Sequence, residues 1–135
     1  SSKTYYLDYK VLDPPKLLIS NLEYPDNVGY DQIFTVSFLL EKNSTSNPKN
    51  ILVKLQQNKR TDELTITELA SSEEFILEFI GSNLRNNQNT FNIQLTYEDA
   101  NGKSYEKTQE FPVTLTNLTF IQRINQFFKQ IFGII

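Results

Sequence analysis

Apolar residues recur along this chain with a period of two, in short runs separated by turn-forming residues. Residues 89–98 alternate most cleanly: Phe91, Ile93, Leu95 and Tyr97 point one way, and Asn92, Gln94, Thr96 and Glu98 the other. Successive side chains of a strand face opposite sides of its sheet, so this pattern predicts a half-buried strand. Residues 33–41 behave alike, with Phe34, Val36, Phe38 and Leu40 opposite Thr35, Ser37 and Glu41; Leu39 interrupts the outer face. Further strands are expected over 17–22, over 51–57 with Ile51, Val53 and Leu55 aligned, and over 64–69, where Leu64, Ile66 and Glu68 alternate with Thr65, Thr67 and Leu69. Phe75, Leu77 and Phe79 share a face, but Ile76 and Ile80 blur the alternation, so a short helix is the alternative there. The last strand covers 104–116, with Tyr105, Phe111, Val113 and Leu115 aligned. Pro112 has no amide to donate to a ladder, which places that stretch at a sheet edge. Between the runs lie turn signals: Tyr24-Pro25-Asp26-Asn27, the polar loop 42–50, residues 58–60, the Asn-rich loop 81–88, and Asp99-Ala100-Asn101-Gly102. The last of these reads as a hairpin turn, because Asn and Gly accept the positive φ that such turns need.

About seven strands with no helical period until the end predict an all-β fold, an immunoglobulin-like antiparallel β-sandwich. Its expected core is Phe34, Val36, Phe38, Val53, Leu55, Phe91, Ile93 and Leu95. Without Cys or Trp the antibody signature is missing. The expected organisation is a lead-in strand or linker over 1–15, carrying Tyr5, Tyr6, Leu7, Tyr9 and Val11 before Asp13-Pro14-Pro15; the sandwich over 16–117; and an amphipathic helix over 118–135.

In that last segment the period changes. Phe120, Ile121, Ile124, Phe127, Phe128, Ile131, Ile134 and Ile135 fall on one helical stripe, with Phe132 at its margin. Gln122, Arg123, Asn125, Gln126, Lys129 and Gln130 fill the opposite face, and the segment holds no acidic residue. So wide an apolar stripe should be covered by the sandwich, by another copy of the chain, or by a lipid surface. Two pairs of readings stand: a helix packed on the sandwich or in a dimer contact, and a membrane-interfacial helix or the root of a membrane span. In the second, Arg123 and Lys129 keep their charges among headgroups.

Composition narrows the chemistry. The chain has 135 residues, the size of one domain. A net charge of −3 disfavours nucleic-acid binding, which needs a basic face. With no Cys and no His, thiolate and imidazole metal sites, thiol nucleophiles and a Ser-His-Asp triad are excluded. No enzyme activity, cofactor or metal is expected. Glu73, Glu74 and Glu78 are the densest carboxylates, but nothing marks a substrate cleft beside them. Glu98, Asp99 and Asn101 resemble a fragment of a calcium loop, but the hairpin turn explains them fully. Asn43-Ser44-Thr45 and Asn117-Leu118-Thr119 match the N-glycosylation acceptor pattern, with Asn43 the better placed in an exposed loop. The tyrosines, Tyr97 and Tyr105 among them, are either sheet core and rim or a sugar-stacking platform. The chain has no Met, so it reads as a processed or excised piece of a longer protein.

From about Leu12 to Leu115 the chain resembles the immunoglobulin-like modules of archaeal surface-layer-type and CARDB-like, cell-adhesion-related proteins. The likeness is carried by Pro15-Lys16-Leu17-Leu18-Ile19, Phe34-Thr35-Val36-Ser37-Phe38, the run from Asn47 to Leu55, Glu68 to Phe75, and the hairpin from Phe91 to Tyr105. The resemblance implies an exported, multi-domain surface protein, often anchored by a C-terminal hydrophobic segment, and brings no catalytic residues. Arg123 and Lys129 inside the final stripe depart from a simple membrane span. The leading expectation is a non-catalytic structural or interaction module, a spacer or docking domain at the cell surface. Its partners would be neighbouring domains of the same chain or other surface proteins. The alternatives are a carbohydrate-binding module and a peripheral membrane-binding unit acting through the last helix.

Overall fold

A computed structural model describes residues 14–135 of the chain. The lead-in strand expected before Pro14 lies outside the described residues. The chain runs β1 (Leu17–Glu23), β2 (Asn27–Val28), β3 (Ile33–Lys42), β4 (Lys49–Gln57), β5 (Arg60–Glu68), β6 (Ser72–Ile80), β7 (Asn87–Glu98), β8 (Ser104–Leu115) and α1 (Phe120–Ile131). One 3-10 turn, Gly81–Asn83, follows β6. Seven of the strands are those the alternation predicts, and 75–80 is strand rather than helix. The eighth, β2, has only two residues and so no period to read.

The strands form two sheets, β1-β3-β6 and β2-β8-β7-β4-β5. All pairings are antiparallel except β2 with β8, where Asn27 and Val28 lie beside Thr114 and Leu115. That short parallel pairing begins just past Pro112, so the outer edge of β8 is open at the proline, as its missing donor requires. The inner faces meet as a sandwich. Phe34, Val36, Phe38 and Leu40 of β3, Ile51, Val53 and Leu55 of β4, and Phe91, Ile93 and Leu95 of β7 are all buried. Their outer-face neighbours are not.

Phe91 sits at the centre. Its ring stacks on Phe111 at 5.2 Å and meets Phe79 edge-on at 5.2 Å and Phe34 at 6.3 Å, so it joins β7 and β8 to the opposite sheet. A three-stranded sheet cannot cover five strands. Leu64 on β5 therefore stays 46% exposed although its register partner Val53 is buried. Lys107 and Gln109 on β8 stand opposite Leu95 and Ile93 yet remain exposed for the same reason. Between the sheets, Arg60 closes one side: its guanidinium lies 4.1 Å from the Phe79 ring centre and donates to the Glu78 carbonyl at 3.1 Å.

Candidate functional site

The C-terminal end of the sandwich builds a polar platform. Gly81 starts it, donating to the Gln32 carbonyl at 2.9 Å and packing so closely on the Gly29 carbonyl that an added Cβ would collide with it. Buried Asn89 then pins the following turn: its side-chain oxygen accepts from the Arg85 amide at 2.7 Å, and its amide donates to the Arg85 carbonyl at 2.9 Å and the Val113 carbonyl at 3.3 Å. Leu84 is the one apolar side chain buried in this segment. What remains outward are polar side chains and the backbone carbonyls and amides of Ser82, Leu84 and Asn86.

Helix α1 docks there. Thr119 caps it, accepting from the Gln122 amide at 3.2 Å while Gln122 Oε1 accepts from the Thr119 amide at 2.9 Å, a reciprocal capping box. At the other end Gly133 takes a positive φ of 69°. Its amide donates to the Gln130 carbonyl and that of Ile134 to the Lys129 carbonyl, the paired bonds of a Schellman stop.

The helix meets the platform with its polar face. Gln126 is fully buried and donates through Nε2 to the Leu84 carbonyl. Gln130 Oε1 accepts from the Asn86 amide at 3.0 Å. Lys129 Nζ donates to the Ser82 carbonyl at 3.0 Å and lies 5.6 Å from the Tyr30 ring centre. The opposite face is left in solvent: Ile121 is 69% exposed, Ile124 38%, Phe127 55%, Phe128 50%, Ile131 57% and Phe132 71%, with Ile134 beyond the helix at 62%. At 3.6 residues per turn the exposed apolar arc spans about 140°, centred opposite Gln126. Phe128 stacks on Phe132 at 6.1 Å and meets Phe127 at 6.0 Å, so the rings form a continuous patch.

Of the three coverings expected for the stripe, the sandwich is not the one found. The platform offers carbonyl acceptors and amide donors but little apolar surface, so the glutamines and lysine bind it better than phenylalanines could. Two further points differ from expectation. Ile135 does not belong to the exposed face: past Gly133 the chain turns back, and Ile135 is 4% exposed, its carbonyl accepting from Arg85 Nε at 3.2 Å. Lys129 faces the sandwich, leaving Arg123 as the outward cation of the helix. The backbone of Phe120 begins α1. Gln126 and Gln130 were not among the expected contact residues; the scarcity of apolar residues over 81–88 was the signal that polar groups would dock there.

The other candidate residues are dispersed. Asn43 lies exposed in the β3–β4 loop, its amide donating to the Lys16 carbonyl at 3.0 Å. Asn117 is exposed with φ at 58°, and the threonine of its acceptor triplet is the α1 cap. Glu73, Glu74 and Glu78 sit exposed on β6, and of the three only Glu78 lines a surface pocket, beside Gln32 and Thr35. Asp99 is taken up by the hairpin. Its Oδ1 accepts from the Asn101 and Lys103 amides at 2.8 and 3.0 Å, and its Oδ2 from the Tyr105 hydroxyl at 3.1 Å. The Lys103 amide above all holds its carboxyl below the usual range, while burial, then the Asp99 bond, push the Tyr105 hydroxyl upward. No group of three or more acidic residues that could hold a metal occurs among the described residues. Of the described tyrosines, Tyr97 is buried and stacks on half-buried Tyr105 at 5.4 Å, while Tyr24 and Tyr30 are also half-buried, so they form no exposed row.

The two-sheet order, the inner-face core and the closing β7–β8 hairpin define an immunoglobulin-like β-sandwich. No family model and no curated protein matches the chain. Among solved structures, it is similar to the CARDB domain of the PF1109 protein from Pyrococcus furiosus, crystallised in complex with di-metal ions. The TM-score is 0.54 at 17% identity, over 85% of this chain and 100% of that one. The solution NMR structure of the same domain gives 0.55 at 13% identity, over 78% and 98%. In fold, the chain is a CARDB-type immunoglobulin-like module. Among the described residues no helix is long and apolar enough to cross a membrane.

Proposed function

We propose that this chain is a non-catalytic interaction or spacer module of an exported cell-surface protein. The observation that carries the reading is the CARDB-type sandwich itself, whose carboxylates are exposed on the strands, tied up in pairs such as Ser20 with Glu41 and Arg60 with Asp62, or, like Asp99, committed to a turn. Contacts with neighbouring domains or other surface proteins would fall on loops and on the open edges of β1, β5 and β6, where unpaired backbone groups can add a strand. On this reading Asn43 is the better glycan acceptor, because its loop is exposed and Thr45 has no structural duty such as Thr119 has.

The test is labelling of intact cells that produce the full-length protein, with a membrane-impermeant amine reagent directed at exposed lysines such as Lys59 and Lys107. The expected result is labelling of this domain without lysis. Labelling only after lysis would overturn the exported reading.

A further inference from the structure

We propose that helix α1 is an interfacial membrane-docking element that lies flat on an anionic lipid surface, with Ile121, Ile124, Phe127, Phe128, Ile131, Phe132 and Ile134 entering the acyl boundary. The proposal goes beyond the surface-module reading and stands on the helix alone.

The polar face of α1 is already occupied. Gln126 Nε2 and Lys129 Nζ donate to the Leu84 and Ser82 carbonyls, and Gln130 Oε1 accepts from the Asn86 amide. The helix is thus held on the sandwich with its apolar arc outward, and needs no rearrangement to meet a surface. Seven large apolar side chains at 38–71% exposure make a patch of several hundred Å², beyond what water-facing surfaces ordinarily carry in one place. A helix of 12 residues is about 18 Å long, too short to span a bilayer and of a length to lie in its interface.

Charge selects the occupant. The segment 120–135 holds Arg123 and Lys129 and no acid, in a chain whose net charge is −3. Arg123 is exposed on one flank of the arc, and Lys59 Nζ lies against Gly133 at its end. Neither cation has an ion-pair partner among the described residues. A phosphate-bearing surface satisfies both while the arc is immersed. A second copy of the helix would instead bring two sets of cations together with no carboxylate on either segment.

The experiment is co-sedimentation of the full chain with vesicles of phosphatidylcholine alone and of phosphatidylcholine with phosphatidylglycerol, beside the variants Phe127→Glu and Arg123→Glu. Sedimentation equilibrium is run without lipid. Both side chains are exposed, so thermal melts of the variants should overlay the parent. We expect at least tenfold tighter binding to the anionic vesicles, near-complete loss in Phe127→Glu, and a severalfold loss in Arg123→Glu. Absence of binding to anionic vesicles overturns the proposal. So does equal binding to both vesicle types, or a lipid-free dimer that Phe127→Glu dissolves, which would give the face to a second copy.

Discussion

At the residue scale, asparagine does much of the bending. Every non-glycine residue with positive φ among the described residues is an asparagine: Asn21, Asn50, Asn58, Asn87 and Asn117. This conformation crowds Cβ against the backbone, and the short asparagine side chain tolerates it better than most. Asn21 and Asn50 sit where the β1–β3 and β4–β7 registers slip, and Asn117 turns the chain from β8 into α1. Gly81 serves a different need, close approach to the Gly29 carbonyl, so its replacement forces backbone apart. In a urea-melt series, Gly81→Ala should cost about 1–3 kcal/mol by overpacking. Phe91→Ala should cost about 3–5 kcal/mol, since the ring it removes joins both sheets. A loss under about 1 kcal/mol in either would contradict the packing described.

At the scale of the element, the β7–β8 hairpin is fastened by one carboxylate. Because its amide bonds favour the charged form, Asp99 has a folded pKa below the ordinary 3.8. Its stabilising contribution is therefore complete above that value and fades as pH falls through the folded pKa. Tyr105, raised above 10.0, contributes in the opposite sense: fully below 10.0, and lost as pH rises through its folded value. An NMR titration should place the Asp99 carboxyl midpoint below 3.8, with Asn101 and Lys103 amide protection falling alongside it. A midpoint at or above 3.8 would contradict the turn geometry.

Strands were legible in the sequence because each buries one face, which writes a period of two into Phe91-Asn92-Ile93-Gln94-Leu95. The helix was legible from its 3.6-residue stripe, but the reading carried it to residue 135, past the stop that Gly133 makes. Its orientation was not. An amphipathic pattern says that two faces differ, but which face touches protein depends on the platform it meets. Here that platform is a run of carbonyls and amides around Ser82, Leu84 and Asn86, assembled by Gly81 and Asn89 from separate parts of the chain.

At the scale of the whole molecule, the sandwich has two functions in this account: a compact body, and a rigid base that presents an apolar helix face outward. Helix α1 docks by Gln126 and Gln130 and leaves Phe127 in water. The chain has no Trp, so Phe127→Trp gives a single reporter at the middle of that face. The decisive measurement is its fluorescence in the lipid-free protein, confirmed monomeric by sedimentation, with acrylamide as quencher. Red-shifted emission and ready quenching are the expected result. Blue-shifted emission shielded from acrylamide in the monomer would mean that the stripe packs on the sandwich, and would contradict the account.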